Sequence, residues 1–177
     1  MSSFSRPLAP ASPDTRVRGV VLAGVFTALT ILFTRVFAIQ TPLVHFGFGF
    51  LSLGIYAAIA GPWRAAAVAV LADFVGVNLL GTGAYFPGFS VSAAVTGALY
   101  GLAFHQKKIT LPRVAVTFFL VAVLVGVLLN TFWLTLLMEK GAIPILLARV
   151  PKIFLCYPFE VALFLAACRA TERFWRR

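Results

Sequence analysis

Six apolar runs lie between Val17 and Ala170, and the longest of them exceed anything a small water-soluble core requires. A helix needs about 20 apolar residues, within a range of roughly 17–25, to cross about 30 Å of hydrocarbon. Val17 to Ala38 and Val114 to Met138 reach that length. Phe46 to Ala60, Ala65 to Leu80, Val91 to Phe104 and Ile153 to Ala170 follow the same pattern, the first and third of these being short. "GPWR" separates the second run from the third. Lipid offers no water to backbone amides, so a spanning segment must satisfy its own hydrogen bonds, as a helix does. The expected fold is all-α: a polytopic membrane protein with about six transmembrane helices over residues 17–170. A disordered cytoplasmic tail over 1–16 and a basic cytoplasmic tail over 171–177 flank it.

Charge agrees with that reading. Only 11% of residues are charged and 61% are hydrophobic, against about 25% and about 45–50% in soluble domains. The net charge of +10 could suggest nucleic acid, but the positions of the basic residues argue for a membrane. With both termini inside, Arg6, Arg16, Arg18, Arg64, Lys107, Lys108, Arg113, Arg169, Arg173, Arg176 and Arg177 are cytoplasmic, and Arg35, Lys140, Arg149 and Lys152 are outside. That asymmetry is the positive-inside rule. No apolar core follows Met1 directly, so a secretory signal peptide is not expected. Cys156 and Cys168 stand roughly 18 Å apart along one helix, beyond disulfide reach, and read as packing residues.

Between runs three and four stands "GTGAYFPGFS", uncharged, with three glycines and three rings. On this topology it faces outward. Glycines permit close backbone approach to a ligand, and Tyr85, Phe86 and Phe89, with Pro87 and Gly88, could form a pocket wall. The alternative is an interfacial aromatic belt. Asp73 and Glu160 sit in mid-span, where ionisable groups are costly and functional candidates; a partner on a neighbouring helix would explain either. Asn130 and Trp133, at i and i+3, share a face and could meet a flat heterocycle or serve helix packing. Arg149 and Lys152 flank the expected start of the last span, where cations oppose the helix dipole unless they meet an anion or lipid headgroups. Ala23, Gly24, Thr27 and Ala28 form a strip of small side chains suited to close helix approach. No P-loop, HExxH, GxSxG or metal-spaced cysteine pair occurs, and His45 and His105 fall on opposite sides. An enzyme, a metal site and a bound cofactor are not expected.

Taken together, "LADFVG", "GAYFPGF", "LLNTFWL" and "RVPK" resemble the substrate-binding S components of energy-coupling-factor transporters, most closely the folate-specific branch. The resemblance extends over Val17 to Ala170. It implies a vitamin-binding subunit in the cell membrane of a prokaryote, with folate taken from outside. A transmembrane T subunit and two ATPase subunits would be its partners, with Ala23, Gly24, Thr27 and Ala28 facing the T subunit. Asp73, Asn130, Trp133 and the loop aromatics would hold the pteridine, and Arg149, Lys152 and Arg35 the glutamate carboxylates. Two alternatives remain open: an S component for another heterocyclic vitamin, and an autonomous carrier that moves protons through Asp73 and Glu160. A non-transporting assembly protein would bind no small molecule.

Overall fold

The computed structural model describes residues 13–37, 39–40, 45–80, 86–107, 109–138 and 156–168. Tyr85, Arg149 and Lys152 lie outside these, as do residues 1–12 and the C-terminal tail. The chain begins as α1 (Pro13–Ile31), whose last turns widen into a π-helix over Leu32–Val36. A two-residue antiparallel ladder, β1 (Ile39–Gln40) with β2 (His45–Phe46), turns it back. Then come α2 (Gly49–Ala60), α3 (Pro62–Leu80) and α4 (Pro87–Phe104). Next is a long rod made of α5 (Leu111–Val121), a π-helical run over Ala122–Leu129 and α6 (Asn130–Met138). The last described helix, α7, is Cys156–Cys168.

Four of these helical stretches are long and apolar enough to cross a membrane, at Val17–Val36, Pro62–Leu79, Pro87–Phe104 and Leu111–Leu136; α2 and α7 are shorter apolar helices. The protein is thus an all-α, multi-pass membrane protein. Its outward surface is apolar: Val20 is 72% exposed, Leu79 76% and Trp63 88%. Facing lipid, such side chains lose nothing.

Five starts differ from expectation by three or four residues. The helices begin at Pro13 rather than Val17, so that residues 13–16 of the expected disordered tail are helical, at Gly49 rather than Phe46, at Pro62 rather than Ala65, at Pro87 rather than Val91 and at Leu111 rather than Val114. In α4 the proline stands in the first turn, where its missing N–H costs no intrahelical bond and its fixed φ suits the helix. The last four residues of "GTGAYFPGFS", from Pro87 to Ser90, are therefore helix rather than loop. The ladder and both π-helical runs have no counterpart in the sequence reading.

The core forms where short side chains let backbones meet. A Cβ at Gly97 of α4 would come within 2.5 Å of the Ala65 carbonyl oxygen of α3, and one at Gly101 would collide with the Pro62 Cα. α3 and α4 accordingly pack more extensively than any other pair. Below them, Phe104 stacks on Phe164 of α7 at 5.0 Å, and Phe118 of α5 meets Phe164 and Tyr100 at 5.3 Å each. Edges and offset faces of such rings attract. Tyr157 of α7 donates its hydroxyl to the Ala115 carbonyl of α5 at 2.9 Å.

A single residue, Gly61, joins α2 to α3. Its φ of +88° and ψ of 175° define a region nearly closed to other residues. Its N–H donates to the Ala57 carbonyl at 3.1 Å, and its own carbonyl accepts from the Ala65 N–H at 3.0 Å. Gly61→Ala is expected to destabilise the fold by about 1–3 kcal/mol. Thermal unfolding of the purified protein in detergent checks this, and an unchanged midpoint would contradict it.

Candidate ligand-binding site

The helices alternate in direction, so Arg35, Gly49, Pro87 and Met138 share one end of the bundle, and Gly61, Phe104 and Leu111 the other. At the Arg35 end, the Arg35 guanidinium lies 3.7 Å from the Asp73 carboxylate. It passes over Gly76, where a Cβ would stand 3.3 Å from the Arg35 Nε. Ser90 donates its hydroxyl to the other Asp73 oxygen at 3.0 Å. The sequence reading grouped Arg35 with the cations and Asp73 with the ring-binding residues; the structure joins them instead. A half-buried acid next to a cation and a hydroxyl is how an intramembrane charge is held at tolerable cost.

Two residues before Ser90, at Gly88, α4 meets α6. A Cβ at Gly88 would come within 2.5 Å of both the Phe86 ring and the Trp133 indole. The absence of a side chain there lets Phe86 and Trp133 approach to 5.8 Å, with Phe89 5.9 Å from Phe86 and Phe132 5.0 Å from Trp133. Four rings thus cluster at this end. In this cluster the Trp133 indole N–H is buried with no hydrogen-bond partner among the described residues, and three residues before it the same holds for the Asn130 amide oxygen. Orphaned buried groups of this kind are uncommon and call for a function.

Asn130 also lines a cavity of about 260 Å³. The cavity follows one face of the α5–α6 rod: Phe118, Val121, Ala122, Val125, Gly126 and Asn130. That spacing covers roughly 18 Å at the α-helical rise, somewhat less where the turns are π-helical. Such turns recur at functional sites in other proteins. Gly47, Phe50 and Tyr100 close it, and Glu160 of α7 is its acidic member. The volume lies slightly below the roughly 300–1,000 Å³ usual for ligand clefts. Most of its lining side chains are apolar or aromatic, and Asn130 and Glu160 bring polar groups to its surface.

Of the expected binding residues, the cavity takes in Asn130. Arg35 and Asp73 pair with Ser90, and Phe86, Gly88, Phe89 and Trp133 meet in the ring cluster; none of these lines the cavity, and Pro87 opens α4. Sequence reasoning did not mark Phe50, Tyr100 or Phe118, which are indistinguishable from other rings in apolar runs. It weighed Glu160 without placing it in the site. The strip on α1 divides. Gly24 and Ala28 face outward, with nothing within 4 Å of a Cβ built at Gly24, while Ala23 and Thr27 are half-buried.

A helical membrane bundle with an open, partly aromatic-walled cleft and buried polar atoms near one end of it has the form of a membrane-embedded small-molecule-binding protein. Residues 14–155 match the family model described as ECF-type riboflavin transporter, S component. The chain belongs to this family of energy-coupling-factor S components. It is 32% identical over 158 residues to a protein of Clostridium novyi named folate transporter FolT, covering 89% of this chain and 92% of that one. A protein of the same name from Leuconostoc mesenteroides is 26% identical over 157 residues, covering 85% and 84%. The crystal structure of FolT bound with folic acid superposes with a TM-score of 0.79 at 31% identity, covering 84% of this chain and 90% of that one.

Proposed function

We propose that this S component binds folate from outside the cell and delivers it for ATP-driven uptake by partner subunits. The observation that carries the reading is the elongated cavity, with Asn130 near the Arg35 end and Glu160 in its wall. The similarity to FolT, one structure of which holds folic acid, supports folate over the riboflavin in the family description. Folate is long, with a flat pteridine at one end and two carboxylates at the other. Under the charge asymmetry of the sequence, the Arg35 end faces outward. Arg149 and Lys152, close to that end in sequence, would meet the carboxylates, and Tyr85, Phe86, Phe89, Asn130 and Trp133 would border the rings. The chain has no P-loop of its own, so ATP hydrolysis falls to two ATPase subunits. Gly24 and Ala28 would face the T subunit. Asp73, paired with Arg35 and Ser90, is engaged in structural contacts that an autonomous proton carrier would have to break.

Calorimetry on the purified chain tests this. Folate is expected to bind at least about a hundredfold more tightly than riboflavin, about 2.7 kcal/mol. Arg149→Ala should weaken folate about tenfold, about 1.4 kcal/mol, and pteroate, which lacks the glutamate, much less. Arginine's bidentate match to carboxylate underlies the difference. No binding of folate to the wild type would refute the reading.

A further inference from the structure

We propose that Ser92 of α4 and Asn130 of α6 together grip an amino group on the ring of the bound vitamin, which makes Ser92 a specificity-determining residue for amino-substituted heterocycles such as a pterin. This rests on the folate reading and names the ring chemistry that the site selects.

Among the described residues, four buried side-chain polar atoms have no hydrogen-bond partner. Three belong to the first turn of α6, at Asn130, Thr131 and Trp133, and the fourth is the hydroxyl of Ser92. Ser92 is 4% exposed. A hydroxyl inside a helix commonly bonds the carbonyl four residues back, as Thr96 does to the Ser92 carbonyl at 2.9 Å. The Ser92 hydroxyl leaves that bond unmade. Buried polar atoms without partners are rare, so their concentration on two facing helices needs a cause.

The register of those helices brings Ser92 and Asn130 to one level. Gly88 and the Trp133 indole are in contact, and a Cβ at Gly88 would lie 2.5 Å from it. The two helices run in opposite directions. Ser92 is four residues further in on α4, about 6 Å along the axis, and Asn130 is three residues further in on α6, about 4.5 Å. At 3.6 residues per turn, Ser92 lies about 40° around α4 from Gly88 and Asn130 about 60° around α6 from Trp133. On antiparallel helices these rotations carry both residues to the same side of the contact. It is the side on which Tyr100 and Asn130 line the cavity. Thr131 turns away from α4. The Ser92 and Asn130 oxygens therefore face a common space, and since both are unpartnered, neither bonds the other.

The Asn130 amide oxygen accepts hydrogen bonds only, and a hydroxyl oxygen also accepts. A primary amino group on a ring has two N–H bonds that diverge by about 120°, and it can donate one to each of two oxygens on facing helices. The Trp133 indole N–H, one turn outward, donates only and suits a ring nitrogen or carbonyl oxygen of the same heterocycle. A pterin carries an amino group flanked by such acceptors. A flavin has a carbonyl oxygen where the pterin has the amino group, and its lone pairs would face the Asn130 oxygen. Sites built on buried hydrogen bonds reject mismatched ligands far more strongly than apolar sites do.

Calorimetry on the purified chain with folate and 2-desamino-2-methylfolate, in which a methyl group replaces the amino group, tests this. Wild type should bind the analogue at least about tenfold more weakly, as expected for the loss of two hydrogen bonds. Ser92→Ala removes one of the two acceptors. Folate should then weaken about fivefold while the analogue binds as it does to wild type, so that the amino-group penalty falls below about threefold. Ser92→Cys keeps the size of the side chain with a weaker acceptor and should lie between. Equal affinity of wild type for the two ligands would overturn the proposal and leave folate binding standing. An amino-group penalty in Ser92→Ala equal to that of wild type would overturn it too, whatever the stability of the variant. Absence of folate binding to wild type would remove the functional reading and this proposal with it. Should Ser92→Ala fail to fold, Ser92→Cys decides, since a penalty equal to that of wild type would overturn the assignment.

Discussion

Ala28→Trp is expected to abolish folate uptake by cells carrying the complete transporter, while the purified variant binds folate within about twofold of wild type. The residue lies on the outward face of α1, one turn from Gly24, and both are exposed. Only 6% of the α1 span is buried within the chain, so an added indole displaces lipid rather than core. In lipid, helices associate by close packing of small residues rather than by a hydrophobic drive. A Trp at that position would hold an approaching helix several ångströms away and remove the backbone contact. Binding does not use this face, because the cavity is walled by α2, α4, α5, α6 and α7. Cellular uptake of labelled folate beside calorimetry separates the two quantities. Uptake and binding lost together would show that the face packs within this chain.

Trp133→Phe should move stability and affinity in opposite directions. The indole N–H is buried without a partner, a situation that costs about 1–3 kcal/mol. Phenylalanine removes that orphan and keeps a ring against Phe86 and Phe132. The ligand-free protein should therefore unfold at an equal or higher temperature. If the N–H is held for the ligand, folate affinity should drop about tenfold, since a well-placed hydrogen bond contributes roughly 1 kcal/mol or somewhat more. A loss of stability together with unchanged affinity would make Trp133 an ordinary packing residue.

The spans were legible because apolar length is a property of single segments, and lipid permits few ways to satisfy a backbone within it. Contacts between spans were less legible. Small residues four apart occur in α1, at Gly24 and Ala28, and again in α4, at Gly97 and Gly101. Only the first pair attracted notice, yet Gly97 and Gly101 press on the α3 backbone whereas Gly24 meets open space. The pattern is the same; the neighbour that answers it lies elsewhere in the chain. Arg35 and Asp73, 38 positions apart, formed a pair that no local pattern announces. "FPGF" read as loop because proline and glycine usually mark one, although proline is equally at home in a first helical turn. The shared face of Asn130 and Trp133 was readable from helical spacing. That one would line a cavity and the other join a ring cluster depends on α4 and α7.

The seam between α3 and α4 has a consequence for traffic. Gly97 and Gly101 bring the two backbones into direct contact, leaving no room between them for an acyl chain, a water file or a folded-back ligand. On that flank the bundle is sealed like a weld. A vitamin bound for the cavity is thereby denied sideways passage between those two helices, and its route in and out must run along the remaining walls or through the end where Arg35 and Trp133 stand. The direction of loading is thus constrained by two missing side chains on α4.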